Sequence, residues 1–278
     1  MCGIVGYRGP KQPKDILVDG LKGLEYRGYD SAGIALKEEN KLQIIKSVGK
    51  ILNLEKKINK TKLLDSHMGI AHTRWATHGG VNEDNAHPHM VGNTVLVHNG
   101  IIENANELRK MLIDEGVVFN SETDTEVACA LINKYYEGDA IKAIEKATKE
   151  IVGSYAFAIM FNDSDKLYAV RKDSPLIVGY GEDKEFYIAS DIAAIISYTN
   201  RYILLEEGEI VEISDDIKVV KKGKKVKKEV LVTDLEADSK DKCGYPHYML
   251  KEIMEEPIVL EKTLKPYIDD IDSLPDLT

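Results

Sequence analysis

Cys2 follows Met1 directly, in the run Met1-Cys2-Gly3-Ile4-Val5-Gly6. If Met1 is removed, one residue carries both a thiol and a free α-amine. An ordinary thiol titrates near ~8.5 and an α-amine near ~7.7–8.0, close enough to exchange a proton at neutral pH. That is a nucleophile with its own base attached, able to attack a carbonyl carbon without a second activating side chain. The alternative is a small buried residue opening a first strand, because cysteine is reactive only where its surroundings favour thiolate. The other two cysteines suggest no such chemistry. Cys129 falls in a helical stretch and reads as core, and Cys243 in a polar one. Three cysteines, far apart and with no CxxC pair, make neither a disulfide framework nor a zinc or redox motif.

Six of the seven histidines lie between residues 67 and 98: His67, His72, His78, His87, His89 and His98. Three motifs sit there or close by: His72-Thr73-Arg74-Trp75-Ala76-Thr77-His78-Gly79, His98-Asn99-Gly100-Ile101-Ile102-Glu103-Asn104 and Ser121-Glu122-Thr123-Asp124-Thr125-Glu126. A metal site is one reading, since His87-Pro88-His89 with His78, Glu83 and Asp84 offers nitrogen and oxygen ligands. No HExxH helix or other zinc spacing accompanies them, and loop histidines equally hold backbone in shape. A thiol that cleaves an amide needs donors for the oxyanion. Asn99-Gly100, expected at a strand end, supplies a side-chain amide and a backbone N–H; the plain alternative is an Asn-Gly turn. Arg74 suits a bidentate grip on a carboxylate, and Asp124 at a helix start suits an ammonium. Together they would hold both charges of a free α-amino acid. Alternatively they are an exposed arginine and an acidic residue near an N-cap.

The elements that must position these residues follow from periodicity. Strands are expected at Cys2–Tyr7, Met68–Thr73 and Thr94–His98, with a long polar loop between the last two. A hairpin is expected over Ser31–Leu36 and Lys41–Val48. Helices are expected at Asp15–Leu24, Leu52–Leu64, Asn104–Asp114 (with Asn104 as N-cap), Asp124–Tyr136 and Ala140–Val152. Short strands follow at Ser154–Phe161, Lys166–Val170, Leu176–Gly179, Phe186–Ala189, Tyr202–Leu205 and Glu209–Ile213, with a short helix at Asp191–Ser197. Lys218–Val232 reads as a lysine-rich hairpin turning near Lys222-Gly223-Lys224. Strand-rich ends around a helical middle predict two packed sheets covered by helices, an α+β fold. Beyond about Asp234 the chain turns polar, with a helix at Tyr248–Glu255 and then Pro257, Pro266 and Pro275.

With 278 residues, 43% hydrophobic and 30% charged, the chain can bury a substantial core. A net charge of -10 argues against a nucleic-acid binder. No apolar run is long enough for a membrane span, and the start lacks the order of a signal peptide, so a cytoplasmic protein is expected.

Cys2-Gly3-Ile4-Val5-Gly6 together with Leu24-Glu25-Tyr26-Arg27-Gly28-Tyr29-Asp30-Ser31-Ala32-Gly33 closely resembles the class II glutamine amidotransferases. Within them, the motifs at 72–79 and 98–104 resemble the glutamine–fructose-6-phosphate aminotransferases (isomerizing). The resemblance runs from Cys2 to about Glu256. It implies a four-layer αββα sandwich of the N-terminal-nucleophile hydrolase type over residues 2–240, with 241–278 a connector toward a sugar-isomerase region absent from this chain. It implies hydrolysis of L-glutamine, with no metal or organic cofactor. Cys2 would be the nucleophile and Asn99 and Gly100 the oxyanion hole. Arg74 and Asp124 would anchor the substrate, with Trp75, Thr77 and His78 on a loop that closes over it and Arg27 and His87 in support. A homo-oligomer is implied for the complete enzyme, with ammonia passed to the sugar-isomerase region. The alternatives are the glutaminase domain of another class II amidotransferase, phosphoribosylpyrophosphate amidotransferase-like, and a non-catalytic amino-acid-binding module.

Overall fold

The computed structural model describes residues 2–235, 245 and 248–268. Its first 237 residues form one compact unit, and Asp238–Thr278 form a second.

In chain order the first unit contains β1 (Gly3–Arg8), α1 (Pro13–Lys22), β2 (Ser31–Glu38), β3 (Lys41–Val48), α2 (Ile51–Asn59), β4 (Met68–Arg74), β5 (His89–Val91) and β6 (Thr94–Ile102). Next come α3 (Ala105–Asp114), α4 (Asp124–Tyr135), α5 (Ala140–Glu150), β7 (Gly153–Phe161), β8 (Leu167–Lys172), β9 (Ile177–Tyr180) and β10 (Phe186–Ala189). The unit ends with β11 (Arg201–Leu204), β12 (Ile210–Ile213), β13 (Ile217–Lys221), β14 (Lys224–Val226) and β15 (Leu231–Val232). Short 3-10 turns occupy Glu25–Arg27 and Ile192–Ala194.

β7 explains the architecture. Side chains alternate across a strand, so a strand with one wet face alternates apolar and polar. β7 is apolar at every position from Tyr155 onward. Ala156, Ala158 and Met160 point into one cluster, whereas Tyr155, Phe157, Ile159 and Phe161 point into another. Both faces of its sheet are therefore covered. The first cluster lies between two antiparallel sheets, where Ile4, Met68 and Ile70 meet Val95, Val97 and Val211. One sheet has eight strands in the order β15-β11-β9-β10-β1-β4-β2-β3, and the other seven, β14-β13-β12-β8-β7-β6-β5. α3, α4 and α5 cover the outer face of the second through Leu108, Leu112, Val127, Leu131 and Ile144. α1 and α2 cover the first through Ile16, Leu17, Leu21, Leu54 and Ile58. The layers run α-β-β-α, the sandwich that the resemblance implies.

Several boundaries differ from expectation. β6 runs on to Ile102, so Asn99 and Gly100 lie inside the strand, paired with Ala156 and Tyr155. α2 stops at Asn59, short of Leu64. β5 occupies part of the expected loop. The lysine-rich hairpin closes by Val226, and β15 crosses to pair with β11 in the other sheet. Asn104 stands at the N-cap of α3 but makes no cap bond. Its amide instead donates to Glu150 O at 2.8 Å and accepts from Val152 N at 2.9 Å, tying α3 to the end of α5.

The described part of the second unit is Tyr245 and α6 (Tyr248–Ile268). The helix is longer than the one expected at Tyr248–Glu255 and continues through Pro257 and Pro266, although proline lacks the N–H and crowds the preceding turn. Strong helix formers on both sides of Pro257, Met254 and Glu255 before it and Leu260 and Glu261 after, carry the helix across. Cys243 and Pro275 lie outside the described residues. Among the described residues no helix is long and apolar enough to cross a membrane.

Candidate active site

Strand alternation places the main candidates on one face. Met68 and Ile70 point between the sheets, and so therefore do His72 and Arg74 two and four residues on. Ile4 does the same in β1, which carries Cys2 to that side. Gly3 pairs with Thr73, so Cys2 comes level with Arg74. In β6 the inward residues are Val95 and Val97, and then Asn99. Three strands from both sheets thus direct Cys2, Arg74, His72 and Asn99 toward one end of the inter-sheet space.

There a cavity of about 360 Å³ opens. Six of the residues singled out from the sequence line it: Cys2, Arg27, Trp75, Thr77, Asn99 and Gly100. The Trp75 N–H donates to Cys2 Sγ at 3.3 Å, and Sγ lies 3.5 Å from the Trp75 carbonyl. Asn99 Nδ2 donates to the Cys2 carbonyl at 3.1 Å. Burial pushes the Cys2 thiol above its ordinary pKa; the Trp75 N–H and the Arg74 charge oppose the rise, and Asp124 adds to it. A proton acceptor close to the sulfur is therefore needed before it can act as a nucleophile. Trp75 is 45% exposed and meets Tyr29 edge-on, ring centroids 5.8 Å apart.

Arg74 is buried but does not line the cavity. Its guanidinium donates to the Gly80 carbonyl at 3.2 Å, the Gly79 carbonyl at 3.3 Å and the His78 carbonyl, and so gathers in the loop that follows β4. The His78 ring is exposed. Asp124 opens α4 outside the cavity wall. Its Oδ2 accepts from Ile102 N at 2.9 Å and joins the helix start to β6. Asp124 Oδ1 stands 4.0 Å from His98 Nδ1. Arg27 is held at the cavity by an ion pair with Asp191. His87 is buried behind the site, its ring centroid 4.0 Å from that of His72 with the planes tilted by 35°, and the His98 N–H donates to its Nδ1 at 3.5 Å.

The residue 24–33 motif braces the same loop. Asp30 Oδ2 accepts from Ala76 N at 2.9 Å, and Thr73 Oγ1 donates to the Gly28 carbonyl at 2.5 Å. A Cβ at Gly28 would lie 2.8 Å from both Arg74 C and Trp75 N, so the two chain segments approach this closely only with glycine there. From the other side, Glu122 Oε2 accepts from Gly80 N at 3.1 Å and from Asn85 Nδ2 at 2.9 Å.

Four cavity residues were not anticipated: Ile101, Ser154, Ser174 and Pro175. Ser174 and Pro175 lie in the β8–β9 connection, and no local pattern marks them. Asn85 and Glu122 were also missed as loop braces; their bond spans 37 positions, which no sequence spacing reveals. Of the histidines offered for a metal, His87 and His89 are buried and hydrogen-bonded, whereas the His78 ring is exposed. His89 Nε2 lies 3.0 Å from Thr123 Oγ1, and Glu83 pairs with Lys57. Among the described residues, no three His, Cys, Asp or Glu side chains gather in a metal-binding group.

The glutamine amidotransferase domain family matches residues 72–197. The glutamine–fructose-6-phosphate aminotransferase (isomerizing) of Clostridium perfringens is 49% identical over 95% of this chain and 44% of its own length. That of Aquifex aeolicus is 46% identical over 99% of this chain and 47% of its own. The chain thus spans less than half the length of these curated relatives. Among solved structures, the glutamine phosphoribosylpyrophosphate amidotransferase of B. subtilis, complexed with ADP and GMP, superposes with a TM-score of 0.69. It is 28% identical, over 79% of this chain and 49% of its own. A cysteine at the second position, an αββα sandwich and these similarities converge on one conclusion: the chain carries a glutamine amidotransferase domain.

Proposed function

We propose that this chain hydrolyses the side-chain amide of L-glutamine to glutamate and ammonia through a thioester on Cys2. The observation that carries the reading is the meeting, at one cavity, of the Cys2 thiol, the Asn99 amide directed back at Cys2, and the Gly100 backbone. Removal of Met1 frees the Cys2 amine. The amine takes the thiol proton, and the sulfur bonds to the amide carbon as the carbonyl electrons move to oxygen. Asn99 Nδ2–H and Gly100 N–H donate to that oxyanion. The C–N bond then breaks, and ammonia leaves with the proton held on the Cys2 amine. Water, deprotonated by the same amine, splits the thioester and restores the thiol.

Arg74 holds the substrate carboxylate by exchanging part of its grip on the 78–80 carbonyls, and Asp124 holds the ammonium. Trp75, Thr77 and His78 close over the ligand. Arg27 and His87 support the site. Residues 2–240 form the glutaminase domain, and 241–278 lead toward a sugar-isomerase region outside this chain or on another one. There the ammonia serves glucosamine 6-phosphate synthesis from fructose 6-phosphate, and the complete enzyme is a homo-oligomer. Relatives named for that activity, at 46–49% identity, support the assignment over the phosphoribosylpyrophosphate route.

Glutamine hydrolysis by the wild type and Cys2→Ala tests the reading, with intact-mass measurement to establish loss of Met1. The variant is expected to lose at least about 10³-fold in kcat, as removal of a covalent nucleophile does. Unchanged turnover would end the proposal. Stimulation by an added phosphoribosylpyrophosphate-binding domain, and not by a sugar-isomerase domain, would reassign the acceptor.

A further inference from the structure

We infer that His72 is a positioning residue that locks the Asn99 amide with its NH2 toward the reacting carbon; the inference rests on the glutaminase reading above. His72 is fully buried on β4, directly across the inter-sheet space from β6. Its Nε2 lies 2.9 Å from the His98 carbonyl oxygen and 3.1 Å from Asn99 Oδ1. Both partners are acceptors, so Nε2 carries the hydrogen and donates to both. The other end of the amide agrees, because Nδ2 faces the Cys2 carbonyl, which only accepts. Turning the amide over would set N–H against N–H at His72 and oxygen against oxygen at Cys2. The two contacts thus define one orientation.

The ring itself has no freedom to change role. Nδ1 is buried without a hydrogen-bond partner, and the ring centroid lies 4.0 Å from that of His87. Burial lowers the His72 pKa to about 3, so the ring stays neutral and keeps a single tautomer across the working range. The chain therefore supplies a preorganised donor at Asn99. Without His72, a rotated amide would present its oxygen to the developing oxyanion and repel it.

The role acts in the transition state and leaves ground-state binding alone. His72→Leu is expected to lower kcat for glutamine about 10–100-fold, below the 10²–10³-fold that loss of an entire oxyanion donor costs, with KM changed less than about 3-fold. His72→Gln, whose amide N–H lies the same number of bonds from Cβ as Nε2–H, is expected to recover part of the loss. In a double-mutant cycle, His72→Leu is expected to add little to Asn99→Ala. Glutamate binding, followed by fluorescence of Trp75, the chain's single tryptophan, is expected to stay within about 2-fold of wild type in His72→Leu, since Arg74 and Asp124 do the holding.

Unchanged kcat in His72→Leu, or losses that multiply in the double variant, would overturn the inference. Should His72→Leu fail to fold, nitrogen-15 spectra of histidine-labelled wild type decide instead. A proton on Nε2 and a bare Nδ1 uphold the bond, and the opposite tautomer refutes it. A wild type inactive toward glutamine would refute the functional reading, while the tautomer would still report on the His72–Asn99 contact by itself.

Discussion

Gly100 adopts φ +136°, a region that side-chain-bearing residues avoid, and a Cβ there would stand 2.1 Å from the Ser154 carbonyl oxygen. Two costs combine at one position: backbone strain of about 1–3 kcal/mol and a clash with rigid main chain of the neighbouring strand. Gly100→Ala is accordingly expected to lower unfolding free energy by about 2–4 kcal/mol and to depress glutamine turnover, because relief of the clash moves the backbone N–H proposed for the oxyanion. Urea unfolding together with kinetics checks this; an unshifted midpoint would show that β6 absorbs the methyl group. Asn99, one residue earlier, has the opposite character. It sits in ordinary strand pairing, and its special quality lies in what its two amide ends touch.

At the scale of elements, the start of α4 collects several duties. Thr123 is its N-cap, accepting from Glu126 N at 3.3 Å. The same hydroxyl lies 3.0 Å from His89 Nε2 and 2.9 Å from Ser121 Oγ. Glu126 departs from a simple capping box: its carboxylate turns back to Asn120 N at 2.9 Å and Ser121 N at 2.7 Å and shapes the turn before the helix. Loss of a cap costs about 1 kcal/mol, and stranded buried partners add more. Thr123→Ala is therefore expected to destabilise by about 1–3 kcal/mol and, through displacement of Asp124, to raise KM for glutamine more than it lowers kcat. Thr123→Ser keeps the oxygen and should retain most of both. Thermal unfolding and steady-state kinetics of the pair distinguish the outcomes, and a Thr123→Ala protein as stable as wild type would refute the cap's importance.

For the molecule as a whole, the sandwich buries four histidines in or beside its middle: His72, His87, His89 and His98. Burial holds all four below their ordinary range, His72 at about 3. Above pH ~6.5 folded and unfolded chains both keep these rings neutral, so they make no difference to stability. Below it, the unfolded chain takes up protons that the folded chain refuses, and stability falls with falling pH. His72 alone contributes a slope of up to about 1.4 kcal/mol per pH unit between its unfolded and folded values. Carboxylates titrate mainly below ~5, so the window from pH 6.5 to 5.5 isolates the histidines, and the net charge of -10 is little relieved there by carboxylate protonation. Urea midpoints are expected to be level from pH 7.5 to 7 and to drop from 6.5 to 5.5. A flat or rising midpoint through that interval would mean that the rings charge without resistance.

The sequence by itself determined the chemistry available and most of the elements. Cys2 beside the initiator, the crowd of histidines and the paired charges of Arg74 and Asp124 were visible because residue type is local information. The strands and helices were visible because a period of 2 or 3.6 is local too. It did not determine that β6 continues past Asn99-Gly100, since pairing with β7 overrides the turn preference of that dipeptide. Nor did it reveal that β15 changes sheets, or that Asn104 binds Glu150 and Val152 across the fold. Only the tertiary structure decided which face each strand turns inward, and hence that Cys2, Arg74, His72 and Asn99 meet. That outcome depends on register between strands far apart in sequence, as where Gly3 of β1 pairs with Thr73 of β4, and a one-residue slip of a strand would send its side chains to the opposite face.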